Sequence, residues 1–161
     1  MQTRFTKIKY NKGIVKLHYD SISSMGNSES YVLSSEDMPL PSFGQALQAV
    51  GEFVPLICEI STESPVQVLG VSFGYGGDAE VMGATITAML ELESSNSPLI
   101  LNTPYKASEV YNEGGNEDVL LPLDCVRALE ALCKEADKYL KGERAQGDLF
   151  AGESNPGVKV A

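Results

Sequence analysis

The chain has 161 residues, 22 acidic against 12 basic, a formal net charge of −10 and a hydrophobic share of 43%; this suits one domain with one core and argues against nucleic acid as a partner, because binding phosphates requires concentrated positive charge. No apolar run reaches the roughly 18 residues of a membrane-crossing helix, and Met1 to Tyr10 lacks the apolar stretch of a secretory signal. Cys58, Cys125 and Cys133 show no CxxC spacing, which argues against a disulfide framework or a zinc site and fits a reducing cytoplasm.

Phe5 to Tyr10 and Ile14 to Tyr19 alternate apolar and polar residues around Asn11-Lys12-Gly13, so a β-hairpin is expected, with Thr6, Ile8 and Tyr10 opposing Lys7 and Lys9. Arg4, Lys7, Lys9, Lys12 and Lys16 make this stretch locally basic. Ser21 to Ser30 reads as a loop, and Tyr31-Val32-Leu33 as a short third strand. A helix is expected to start at Pro41 or Ser42, with Phe43, Ala46, Leu47, Val50 and Val54 as its apolar stripe and a kink or end at Pro55. Leu56-Ile57-Cys58 fits either a buried turn or a strand.

Val66 to Phe73 reads as a strand, and Gly74-Tyr75-Gly76-Gly77-Asp78 as a hairpin turn that uses glycines at positive φ. Met82, Ala84, Ile86, Ala88, Leu90 and Leu92 follow a period of two, the clearest strand signal in the chain. Pro98 to Thr103 returns, which completes a three-stranded meander. Lys106 to Asp118 is polar and reads as a surface loop. Pro122 to Lys141 is expected to be a helix with Leu129, Leu132, Cys133, Ala136 and Leu140 on one face, Glu130–Lys134 and Asp137–Lys141 as favourable pairs, and Gly142 as its C-terminal cap. The expected fold is α+β: an antiparallel sheet built from an N-terminal hairpin and a three-stranded meander, with two amphipathic helices. Residues 1–142 form its single domain, and the polar, breaker-rich residues 143–161 are expected to be a flexible tail.

No catalytic, cofactor or metal site is expected. The glycine-rich segment at 74–78 lacks the lysine of a P-loop. His18, the single histidine, has no nucleophile or ligand partner close in sequence. Glu36-Asp37 and Glu117-Asp118 lie among prolines and glycines and read as solvated loop charges, and Cys125 and Cys133 as core or near-core thiols.

The tail holds the specific signal, Gln146-Gly147-Asp148-Leu149-Phe150. It resembles the pentapeptide by which partner proteins dock on the bacterial sliding clamp, whose usual form is Gln-Leu-Asp/Ser-Leu-Phe. The resemblance implies that Gln146 hydrogen-bonds at a pocket rim, that Leu149 and Phe150 fill an apolar pocket, and that Asp148 matches the third position; Gly147 departs from the preferred leucine. Ser97-Pro98-Leu99-Ile100-Leu101-Asn102-Thr103-Pro104, and the last helix running into Lys141-Gly142-Glu143-Arg144-Ala145-Gln146, also resemble small proteins of phage and mobile-element replication clusters. That resemblance implies a phage DNA-metabolism context and carries no biochemical activity with it; the expected partner is the sliding clamp or another host protein in a bacterial cytoplasm, and no enzymatic activity is expected. Two rival readings are an acidic decoy that binds a host protein through its folded surface, and a single-strand DNA-binding module that uses the basic hairpin with Tyr10 and Tyr19.

Overall fold

The computed structural model describes residues 2–111 and 119–145. The first hairpin forms as expected: β1 (Gln2–Asn11) and β2 (Ile14–Ile22) are antiparallel and joined by Lys12-Gly13, both at positive φ, the geometry that lets a two-residue turn follow the twist of its strands. The register shifts between Phe5 and Lys7. This bulge puts Phe5, not Thr6, on the buried side with Ile8, since an extra residue inverts the alternation upstream of it.

The third strand is longer than Tyr31-Val32-Leu33 suggests. β3 (Ser28–Ser35) pairs along β2, and the loop shrinks to residues 23–27. α1 (Pro41–Ala49) runs into a 3₁₀ turn (Val50–Phe53) and then α2 (Val54–Cys58). Pro55 sits in the first turn of α2, where its missing N–H leaves no bond unmade. It therefore begins a helical turn instead of ending one, and Leu56-Ile57-Cys58 is helical.

β4 (Gln67–Gly76), β5 (Val81–Leu90) and β6 (Leu99–Asn102) form the meander, and the two-residue β7 (Lys106–Ala107) pairs with β5. The sheet is larger than a hairpin beside a meander: one antiparallel sheet of seven strands, with path β3-β2-β1-β4-β5-β6 and β7 beside β5. Its two halves join where β1 meets β4, at Lys7–Ser72, Ile8–Val71 and Lys9–Gly70. Gly70 permits that seam, because a Cβ there would lie 2.9 Å from the Ile8 carbonyl oxygen and 2.8 Å from Lys9 Cγ.

α3 (Leu123–Leu140) closes the domain, with Cys125, Leu129, Leu132, Ala136 and Tyr139 buried and Cys133 and Leu140 half-buried at its edges. Asp137–Lys141 pairs at 2.7 Å, while Glu135 pairs with Lys138 at 3.0 Å. Gly142 caps the helix at φ +95°, donating to the Tyr139 carbonyl at 3.0 Å. Val15, Leu17, Ile8, Val71 and Ile86 from the sheet meet Phe43, Leu47, Leu129 and Leu132 from the helices in one core. The helices thus cover one face of the sheet.

Candidate functional site

Gln146, Asp148, Leu149 and Phe150 lie outside the described residues. The described residues end at Ala145, immediately before that segment. Past Gly142, Arg144 forms an isolated bridge with Pro39, and Ala145 N–H donates to the Met38 carbonyl at 2.8 Å. The Arg144 guanidinium lies 4.1 Å from the Tyr139 ring centre, donates from Nε to the Tyr139 carbonyl at 3.1 Å, and pairs with Asp37 at 2.8 Å. The motif begins at the residue after this clasp.

The glycine-rich segment, the helix cysteines and Asp37 have local structural roles. Of the 74–77 glycines only Gly77 has positive φ; Gly74 and Gly76 continue β4. A Cβ at Gly74 would lie 2.9 Å from Tyr105 Oη, and one at Gly76 would lie within the Tyr111 ring's contact distance, at 2.4 Å from Cζ. These glycines make room for two tyrosines that lie across the strands. Burial pushes the Cys125 thiol up to about 11 and, with Glu130 nearby, Cys133 up to about 12, so both stay protonated at neutral pH. Asp37 is used by Arg144, and Glu117-Asp118 falls outside the described residues. Among the described residues no three His, Cys, Asp or Glu side chains gather as a metal site, and no helix is long and apolar enough to cross a membrane.

The sheet face away from the helices carries a second feature. Side chains alternate across a sheet, so the neighbours of buried Ile8, Leu17, Val71 and Ile86 point to this open face. On it Lys9 stands directly opposite Lys16, and Lys7 opposite His18. None of the three lysines forms an ion pair with another described residue. Partial burial lowers the His18 pKa, and Lys7, Lys16 and Lys9 lower it further. The face continues onto β4 and β5 with Ser72 and Thr85, paired to each other, and then with Gly74 and Gly83 under Tyr105.

Tyr10 and Tyr19 are not on this face. Tyr10 sets its ring edge-on to Phe43 at 5.9 Å, and Tyr19 stacks on Tyr31 at 5.4 Å and tilts against Phe5 at 6.1 Å. They lie on the helix side, opposite the lysines. The two-residue turn at Lys12-Gly13 fixes the opposition of Lys9 and Lys16, so that juxtaposition was available from hairpin spacing; the approach of Tyr105 to Gly74 and Gly83 was not, because it comes from a segment beyond β6 that no local pattern ties to those strands.

No family model, curated protein or solved structure matches this chain.

Proposed function

We propose that the protein is an accessory factor that docks on a bacterial sliding clamp through Gln146, Asp148, Leu149 and Phe150, with the α+β domain as the cargo held at the clamp. The supporting observation is the placement of the motif. It starts at the residue after Ala145, whose backbone N–H is bonded to the Met38 carbonyl. A short peptide offered next to a rigid anchor reaches a pocket without unfolding its own domain. Gly147 in place of leucine removes one apolar contact and adds backbone freedom, so a modest affinity follows.

Calorimetry of the full chain against a purified bacterial clamp tests this. Phe150→Ala should weaken binding about tenfold or more, because fully burying such a side chain contributes roughly 1.5–3 kcal/mol. Gln146→Ala should cost less, since one rim hydrogen bond contributes about 1 kcal/mol. Gly147→Leu should tighten binding. Absence of binding by the unaltered chain at tens of micromolar, roughly 6 kcal/mol of affinity, rejects the reading.

A further inference from the structure

We infer that the open face of the sheet binds the backbone of a single-stranded nucleic acid, with Lys7, Lys9 and Lys16 meeting phosphates and Tyr105 offering its ring to a base.

The charge arrangement carries the argument. Like charges directly opposite one another across a strand pair are unfavourable, and this hairpin places Lys9 against Lys16, with Lys7 one same-face step away opposite His18, whose charged form the lysines disfavour. The chain has 22 carboxylate residues, yet among the described residues the charged groups that shift His18 are Lys7, Lys16 and Lys9. A cluster left uncompensated in so acidic a chain is complementary to an external polyanion. Gly70 adds to the arrangement, since the Lys9 stem lies where a Cβ at position 70 would stand; the stem is laid along the sheet and its ammonium stays at the surface.

A single strand fits the shape better than a duplex. The lysines stand on strands in the interior of the sheet order, β1 and β2, and among the described elements no helix lies on that face to enter a groove. Ser72 and Thr85 extend the face from Lys7 as hydroxyl donors to phosphate. Gly74 and Gly83 lie one same-face step beyond them, about 7 Å along the strands, and Tyr105 rests there with 47% of its surface exposed. A cationic track ending at an accessible ring is the combination by which sequence-tolerant single-strand binders work. The net charge of −10 opposes the approach of a polyanion, so the affinity is low and strongly salt-dependent. This inference is independent of clamp docking, because it uses no residue beyond Tyr105.

Fluorescence anisotropy of the full chain with a labelled oligothymidylate of about 15 nucleotides tests it. With three phosphate contacts, the logarithm of the affinity should fall against the logarithm of salt with a slope of about −2. Lys16→Glu should weaken binding at least fivefold at low salt, Tyr105→Leu about threefold or more, and Lys134→Glu, on the outer side of α3, less than twofold. Lys16→Glu turns a like-charge pair into an opposite one, so its loss of binding cannot be ascribed to unfolding. No binding at about 30 mM salt, an equal loss with Lys134→Glu, or a duplex of the same length bound as tightly and without dependence on Tyr105 would each overturn the inference. So would a Lys16→Glu variant that binds the oligonucleotide unchanged but dissociates a dimer in sedimentation, which would assign the face to a second, acidic copy of the chain.

Discussion

Lys16 and Lys9 show at the level of single side chains how a folded position can be unfavourable and still be informative. Both are exposed and directly opposed across the hairpin. Replacing Lys16 with Glu converts repulsion to attraction at one cross-strand pair, which changes stability by roughly 0.2–1 kcal/mol. Lys16→Glu should therefore raise the urea midpoint without altering its slope, and added salt should shrink the gain; a lowered midpoint would show that the lysines are already compensated. Tyr139 shows the opposite case. Its ring is buried against Phe43 at 6.0 Å and its hydroxyl donates to the Asp37 carbonyl at 2.6 Å. A stripe of leucines and alanines at helical spacing does not reveal that a tyrosine one position from Leu140 takes the core position, because a polar-tipped residue is buried only where a partner waits, and that partner lies 102 residues away.

At the level of elements, the sequence was most legible where one period ran without interruption. The alternation from Met82 to Leu90 became β5 with Ala84, Ile86 and Ala88 buried, and the stripe through Leu129, Leu132 and Ala136 became the inner face of α3. It was least legible where backbone shape is set by something distant. The bulge after Phe5 inverted the expected facing of β1, β7 emerged from a stretch that reads as loop, and Gly74 and Gly76 stayed in a strand although glycine pairs usually mark turns. For β7 and the glycines the deciding contact lies more than twenty residues away, on β5 or on Tyr105 and Tyr111. Gly83 is the sharpest example. A Cβ there would lie 2.3 Å from Tyr105 Oη and 2.8 Å from the Lys106 carbonyl oxygen. Gly83→Ala should thus displace the crossing segment and cost about 1–3 kcal/mol. Gly44, inside α1 with open space around its Cβ, should respond with the other sign, Gly44→Ala adding roughly 0.5–1 kcal/mol. Paired thermal melts read both, and equal shifts of one sign would remove the steric account of the glycine strip.

For the whole molecule the question is how a chain of this charge keeps its two ends in register. The sheet is two meanders joined at a three-residue seam between β1 and β4, and the long excursion from β3 to β4 crosses the helix side. Gln48 ties that excursion down, donating from Nε2 to the Val68 carbonyl at 3.0 Å and accepting from the Val68 N–H at 2.9 Å, so that its side chain completes the hydrogen bonding at the β4 bulge. The second tie is the clasp between the residues before α1 and those after α3: Tyr139 and Arg144 on Asp37, Arg144 bridging Pro39, and Ala145 on Met38. It fastens the entry of the first helix to the exit of the last. The Arg144 side chain is 22% exposed but Asp37 is 68% exposed, so solvent screening reduces the ion pair to a minor contributor. What remains is the guanidinium over the Tyr139 ring, its bond to the Tyr139 carbonyl, and the backbone bond from Ala145 to Met38. Together these should contribute about 1–2 kcal/mol. A chain ended after Ala145 should therefore melt above one ended after Gly142 by roughly 2–8 °C, given about 2–4 °C per kcal/mol at this size. Arg144→Lys in the longer chain should recover only part of the difference, because an ammonium keeps the charge but loses the planar stacking on Tyr139. Equal melting temperatures for the two truncations would mean that the clasp is merely local, and that the seam and Gln48 alone hold the ends of the domain together.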